Sequence, residues 1–343
     1  MTKEIIPQAY EIVPGMTSEE MKALFFDDKA IQEQPRPVYR LDSSGHRYYY
    51  TFDEHLNPEF FTSVTTLISQ TTPTSPFLIK WMAEMGYEES QVFAQERADY
   101  GTFLHSVIAS LLINRRYNTD KLQDELKEFM EVNKLPSGFI KHTDELKKDI
   151  LAFAQFMIEN NVRPLAIEVV LTHPKDGYAG AIDLVCEMEI LETGDFGQVY
   201  KTGERAGQTK LTKGYRKILA LVDFKSGRKG FYEEHEIQLE CYRQMWNYHY
   251  PKLHIERVFN WSPKNWRGIT PTYNLKEQTN SIAKDKLPHL VEIARVVDRK
   301  KNNTISVVEG EIVLENGLDE NVKSIELEDL VRQSRENKLK KKK

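Results

Sequence analysis

The spacing of apolar positions along this chain changes near Pro164. Over residues 89–114, and again over 119–132 and 143–160, apolar side chains recur every three to four residues with few breakers, the pattern of helices with one buried side. Beyond Pro164 short β-branched runs take over: 165–171 (LAIEVVL), 180–188 (GAIDLVCEM) and 218–225 (ILALVDFK). Each predicts a strand, the first two joined as a hairpin through a turn at 174–177. Residues 218–222 are almost continuously apolar, as in a strand covered on both faces. Helical spacing returns at 234–248, strands are expected at 254–261 and 270–273, and a helix at 280–299. Upstream, residues 37–50 hold two β-prone runs around Ser43-Ser44-Gly45 and predict a hairpin. Residues 63–69 then lead through a Pro/Thr-rich turn to a short helix at 77–82. A short helix is also expected at 18–26, with Ser18 as its cap. Residues 192–216, rich in Gly, Lys and Thr, predict a loop or extra hairpin set between two strands. Helices and strands together make an α/β chain. Residues 1–60 are an N-terminal extension, 61–300 the main domain, and 301–343 a charged appendage with a basic tail.

At 343 residues, 40% hydrophobic and 29% charged, the sequence suits a folded domain with a sizeable core. No apolar run approaches the roughly eighteen residues that span a bilayer. The first residues lack the basic-then-apolar layout of a signal peptide, so a cytoplasmic location is expected and no membrane partner. Two cysteines, Cys186 and Cys241, are too few for a cysteine-ligated zinc or iron–sulfur site. A net charge of −5 at first argues against nucleic acid, yet the basic residues cluster. Lys201, Arg205, Lys210, Lys213, Arg216 and Lys217 fall in the 192–216 segment or at its edge, followed by Lys225, Arg228 and Lys229. The first group predicts a basic flap tracking a DNA backbone beside the active site, through Lys210, Lys213, Arg216 and Lys217; a solvated hairpin without a partner is the plain alternative.

Candidate chemistry centres on Asp183 and on Asp223-Phe224-Lys225, with Glu168 upstream. Alternate residues of a strand face one side, so Asp223 and Lys225 project together. A carboxylate beside an amine on an apolar strand is costly to bury unless it serves something. Magnesium takes hard oxygen ligands, and Asp183, Asp223 and Glu168 can supply them. Phosphodiester hydrolysis needs this set: a Lewis acid, an activated water and stabilisation of a charged phosphate. In the 89–114 helix, Arg97, Gly101 and His105 share a face at spacings of four, with His105 a candidate metal ligand and Gly101 marking a close approach. Gln238 and Tyr242 share another helix face.

In this order, Gly101-Thr-Phe-Leu-His105, Glu168, Gly180-Ala-Ile-Asp183, Asp223-Phe-Lys225 and Gln238-x-x-x-Tyr242 resemble the motifs of the RecB-like branch of the PD-(D/E)XK nuclease superfamily. That branch includes the RecB and AddAB nuclease domains, the Cas4 exonucleases and many phage exonucleases. Ser63-Val-Thr-Thr and Trp81 resemble the lead-in these proteins carry. The resemblance spans about residues 60–265. It implies a mixed central sheet flanked by helices, with Mg²⁺ or Mn²⁺ held by His105, Asp183, Asp223 and the Phe224 carbonyl. Glu168 is then a metal or water ligand, Lys225 a catalytic residue, and Gln238 and Tyr242 position DNA or Lys225, with Gly101 and Arg97 beside the DNA path. It further implies a stand-alone DNA exonuclease of recombination, repair or phage DNA metabolism. Single-stranded DNA or duplex ends are the expected partner, with room for a recombinase or single-strand-binding protein. A silent DNA-binding subunit and a nuclease acting on RNA are the alternatives. The Cas4-type iron–sulfur cluster is ruled out by the cysteine count, and no Walker A pattern accompanies the motifs.

Overall fold

The computed structural model describes residues 38–43, 46–53, 57–228 and 230–298. The expected helix at 18–26 and the segment beyond 300 lie outside the described residues. Three strands open the fold: β1 (Tyr39–Ser43), β2 (His46–Phe52) and β3 (Pro58–Ser63). Five helices follow: α1 (Val64–Thr71), α2 (Pro76–Met85), α3 (Tyr87–Asn114), α4 (Leu122–Val132) and α5 (Thr143–Glu159). Next come β4 (Arg163–His173), β5 (Tyr178–Val199) and β6 (Thr209–Phe224). Helix α6 (Glu233–His249) crosses to β7 (Arg257–Pro263), and β8 (Tyr273–Glu277) and α7 (Ala283–Asp298) complete the order. The strands join one eight-stranded mixed sheet. The expected 37–50 hairpin therefore belongs to the same sheet as the core strands, as β1 and β2.

Helices cover both faces of that sheet. Helix α3 buries Tyr100, Leu104, Ile108 and Leu112 with Phe103 and Val107, a stripe of i, i+4 steps. It packs with α4 and α5 over Leu184, Cys186, Met188, Ala220 and Val222. On the opposite face α1, α6 and α7 cover Val169, Ile182, Val185 and Leu221. Strand β6 thus contributes to both cores, as its continuous apolar run predicts.

Where the strands change partners decides where the site lies. Strand β5 has β4 along one edge from Tyr178 to Glu187, antiparallel, turning through Gly177 at φ +75°. Its other edge is shared. Parallel strand β3 pairs at Tyr178 and Ala179, and antiparallel β6 takes over from Leu184. Residues 180–183 fall in the interval, a fork facing the ends of β3 and β6. Strand ends at such a change of partner leave a crevice, the usual place for a ligand in open α/β sheets.

From Leu184↔Val222 the β5–β6 pair runs on to Val199↔Thr209. The 192–216 segment is therefore a two-stranded ribbon continuing both strands, and only its tip is a turn. Of the two expected forms, loop or extra hairpin, the structure has the hairpin, carried by cross-strand pairing rather than apolar content. The ribbon departs from expectation in direction. It leaves the sheet at the end opposite Asp223, so Leu211 lies about 40 Å along the strand from that residue at roughly 3.3 Å per residue.

Candidate functional site

The fork is built around one irregularity in β4. Glu168 has φ +50°, a left-handed conformation that costs a non-glycine residue about 1–2 kcal/mol. Its effect is visible in the packing. Ile167 joins the α3-side core and Val169 the α6-side core, so Ile167 and Glu168 both turn toward α3. The β4–β5 ladder pairs Ile167 with Leu184 and Val169 with Ile182, and skips the positions between them, Glu168 and Asp183. Two carboxylates are thereby released from the ladder opposite each other. Strain of this kind persists where the surrounding fold enforces it.

His105 reaches down from α3 to meet both carboxylates. Its Nδ1 lies 3.5 Å from Glu168 Oε1 and 3.6 Å from Asp183 Oδ1. One ligand atom from each of the three side chains falls within 4.8 Å of the others. The second Asp183 oxygen, Oδ2, accepts the Phe224 backbone N–H at 2.6 Å. That bond ties the end of β6 to the fork where the ladder has stopped. The Phe224 ring meets His105 edge-on at 5.7 Å.

Asp223 is almost fully buried beside this group. Lys225 Nζ lies 3.1 Å from its Oδ1 and 2.8 Å from its Oδ2, and Asn260 Nδ2 donates to Oδ2 at 2.9 Å. Asn260 stands opposite Asp223 in the parallel β6–β7 register and is itself fully buried. Lys225 Nζ also donates to Gln238 Oε1 at 2.8 Å, and Gln238 Nε2 donates to Tyr242 OH at 2.7 Å. The i, i+4 pair on α6 thus aims the lysine amine.

Charge and burial shift these groups together. Burial alone would lower His105, but the Asp183 and Glu168 carboxylates outweigh it and raise it to about 9. Burial, aided by Glu168, raises Asp183 to about 6 against the pull of His105 and Lys225. Burial also raises Asp223, with Asp183 adding to it and Lys225 opposing. His235, on the first turn of α6, is lowered to about 4 by burial and then by Lys225.

The glycines of the two motifs have steric explanations. A Cβ on Gly180 would stand 2.7 Å from Tyr242 Cε1, so a bare backbone in the fork lets the tyrosine ring lie over it. A Cβ on Gly101 would lie 3.3 Å from Ser226 Oγ, where α3 passes the loop after Lys225.

The fold therefore brings His105, Glu168 and Asp183 into one group, with Asp223, Lys225, Gln238 and Tyr242 adjoining. Arg97 lies outside it. Its guanidinium pairs with Glu145 at 3.4 Å and packs over the Phe93 and Tyr100 rings, 5.6 and 5.5 Å from their centroids. Arg97 instead belongs to a charged network in which Arg228 bridges Glu145 and Asp149, and Tyr100 donates to Asp149 at 2.5 Å. The shared helix face is real, but α3 rises about 12 Å between Arg97 and His105, which gives the two side chains different neighbours. Lys210, Lys213, Arg216 and Lys217 lie on the ribbon. Arg216 pairs with Glu192 at 2.6 Å and Lys217 with Glu187 at 2.9 Å.

No family model and no curated protein matches the chain.

A cleft of about 430 Å³ opens over the fork, lined by Gly101, His105, Glu168, Asp183, Gln238 and Tyr242 among others. Sequence reasoning missed several of its components. Arg40, Arg47 and Tyr49 of the β1–β2 hairpin also line it. Asn260, an amide set between Phe259 and Trp261, was a readable signal of a buried polar partner. The hairpin arginines carried no such signal, because their place depends on which strand β3 joins.

Proposed function

We propose that this chain is a Mg²⁺- or Mn²⁺-dependent deoxyribonuclease of the RecB-like PD-(D/E)XK type. The observation that carries the reading is the convergence of His105, Glu168 and Asp183 within 4.8 Å, beside a lysine shared between Asp223 and Gln238. One imidazole and several carboxylate oxygens suit a hard divalent cation that tolerates nitrogen. The raised proton affinities of Asp183 and Asp223, which come first from burial, fit the same reading, since a bound cation would favour their ionised forms. His105, Glu168 and Asp183 would hold the ion, with Asp223 and the Phe224 carbonyl as the further ligands that the resemblance implies. When bound, the ion supplies Lewis acidity toward a phosphoryl oxygen.

The chain's own groups account for the rest. Lys225 offers a cation between Asp223 and Gln238, beside the fork, where it stabilises charge developing on a phosphate or orients the attacking water. Gln238, set by Tyr242, and Asp223, set by Asn260, fix the amine from two sides. Such preorganisation matters because a catalytic amine misplaced by about an ångström loses much of its effect. The resemblance extends the reading to end-directed cutting of DNA in recombination, repair or phage DNA metabolism.

The test is incubation with end-labelled linear and circular DNA, single- and double-stranded, and with RNA, in Mg²⁺, Mn²⁺ or EDTA. Metal-dependent shortening of linear DNA with circles intact is the expected result. Cleavage that persists in EDTA, or RNA cut in preference to DNA, would replace the proposal.

A further inference from the structure

The acidic fork repels the phosphates it is proposed to cut, so something in the cleft must hold them. The β1–β2 hairpin supplies it. Arg40 stands opposite Tyr49 in the antiparallel ladder, and Arg47 precedes Tyr49 by two residues on the same strand. Opposite positions and i, i+2 positions of a hairpin share a face. Arg40, Arg47 and Tyr49 therefore form one surface, and all three line the cleft with Glu168 and Asp183. Tyr49 is buried against Phe61, Val170 and Ala179, which roots that surface in the sheet.

The hairpin is fixed in place by the Ser63-Val64-Thr65-Thr66 segment, which the catalytic reading leaves unexplained. Ser63 caps α1 by accepting the Thr66 N–H at 3.0 Å. The Thr66 hydroxyl accepts the Arg47 N–H and donates to the Arg47 carbonyl, both at 3.1 Å. Ser63 Oγ donates to the same hydroxyl at 2.9 Å. One threonine thus clasps both main-chain groups of Arg47 at the wall of the cleft. Arginine suits phosphate because its planar fork of donors matches two oxygens at once.

We propose that Arg40 and Arg47 form a phosphate-binding wall, holding the backbone of a nucleic-acid strand in the same cleft as the acidic fork. The wall rests on the nuclease reading only for which strand it presents and to what; phosphate binding itself is independent of cutting. The ligand is a polynucleotide strand, because the wall lines the same cleft as the fork proposed to cut such a strand.

Arg40→Gln, Arg47→Gln and the double variant are tested by fluorescence anisotropy with a short labelled single-stranded oligonucleotide. Ca²⁺ replaces Mg²⁺ to block cutting, and affinity is followed against salt. The slope of log affinity against log salt should flatten by roughly 0.7 for each phosphate that the variant no longer neutralises. Affinity should fall about tenfold or more in the double variant at low salt. Arg47→Lys should keep the wild-type slope with weaker binding, because it retains the charge and loses the fork. Far-UV circular dichroism and Mn²⁺ calorimetry should match wild type, since the bonds from Thr66 to the Arg47 main chain are kept in every variant. Wild-type affinity and slope in the double variant would overturn the wall, and so would a wild-type protein that binds no oligonucleotide. Cleavage by the wild type is scored separately. A protein that binds with the expected slopes and cuts nothing loses the nuclease reading and keeps the wall. One that cuts, with slopes unchanged by both substitutions, keeps the nuclease and loses the wall.

Discussion

Strands β5 and β6 carry charge at both of their ends, and the two ends behave as different materials. At the fork, Asp183, Asp223 and Lys225 are buried or nearly so, and each is held by a named partner from another strand or helix. At the ribbon, Arg216 and Lys217 are about half exposed and pair with acids on the adjacent strand. Exposed pairs of that kind contribute about 0–1 kcal/mol, and their removal is felt little. Buried charges that lose a partner cost several kcal/mol and dominate whatever chemistry surrounds them. The ribbon holds more charge per residue of sequence. The fork holds fewer charges, brought from β4, β5, α3 and the end of β6 to one point. Convergence, rather than local density, distinguishes a candidate site.

The largest effect is expected at the fork carboxylates. Asp183→Ala and Asp223→Ala should each lower the cleavage rate by about a thousandfold or more, roughly 4 kcal/mol of barrier. Activity within about tenfold of wild type, roughly 1.4 kcal/mol, would remove those residues from the metal site. Lys225→Ala should cut as poorly yet bind Mn²⁺ like the wild type; loss of binding would make the lysine a counter-ion that holds Asp223 in place.

Packing around the fork gives an intermediate effect. Gly180→Ala sets a methyl against the Tyr242 ring at 2.7 Å and should destabilise by about 1–3 kcal/mol, as overpacking does. Gly101→Ala meets only a serine hydroxyl at 3.3 Å and gains about 0.5–1 kcal/mol of helix propensity. Its melting temperature should stay close to wild type. Equal losses in the two variants, read by urea titration, would show that the Tyr242 ring does not lie over Gly180.

The pH dependence should also separate fork from ribbon. His105 is raised to about 9, so its contribution to stability is complete below about 6.5 and is lost as pH rises through 9. Asp183 is raised to about 6, so folding favours its protonated form and stability is lost as pH rises from about 4 through 6. Both act in one direction. Without metal, the melting temperature should fall across this range more steeply in the wild type than in Asp183→Asn, and saturating Mg²⁺ should flatten the wild-type curve. Parallel curves with and without Asp183 would contradict a buried carboxyl coupled to His105. The smallest effect belongs to the ribbon. Replacing Lys210, Lys213, Arg216 and Lys217 with Ser should change cleavage by less than about twofold, since surface substitutions stay within roughly 0.5 kcal/mol. A tenfold loss would bring the ribbon back as a DNA-tracking flap.

Local spacing made part of this site legible. Asp223 and Lys225 share a face because strands alternate, and Gln238 and Tyr242 meet because helices place i and i+4 together; both pairs are bonded as that predicts. The buried character of β6 was equally readable from its apolar run. What could not be read depends on strands distant in sequence. Nothing local announces that Glu168 takes a left-handed φ and leaves the ladder with Asp183, since the cost is imposed by its neighbours. Asn260 reaches Asp223 only through the β6–β7 register, and Arg40 and Arg47 reach the cleft only because β3 joins β5. Residues 192–216 left loop and hairpin both open, because turn-prone composition does not show a pairing that runs from Leu184 to Val199.

The central claim is that the fork is a metal site, and calorimetric titration with Mn²⁺ tests it most directly. Wild-type protein should bind Mn²⁺ with uptake that vanishes in Asp183→Ala, weakens in Glu168→Gln and His105→Gln, and survives intact in the ribbon variant. Binding unchanged by Asp183→Ala, or no binding by the wild type at millimolar Mn²⁺, would contradict the account.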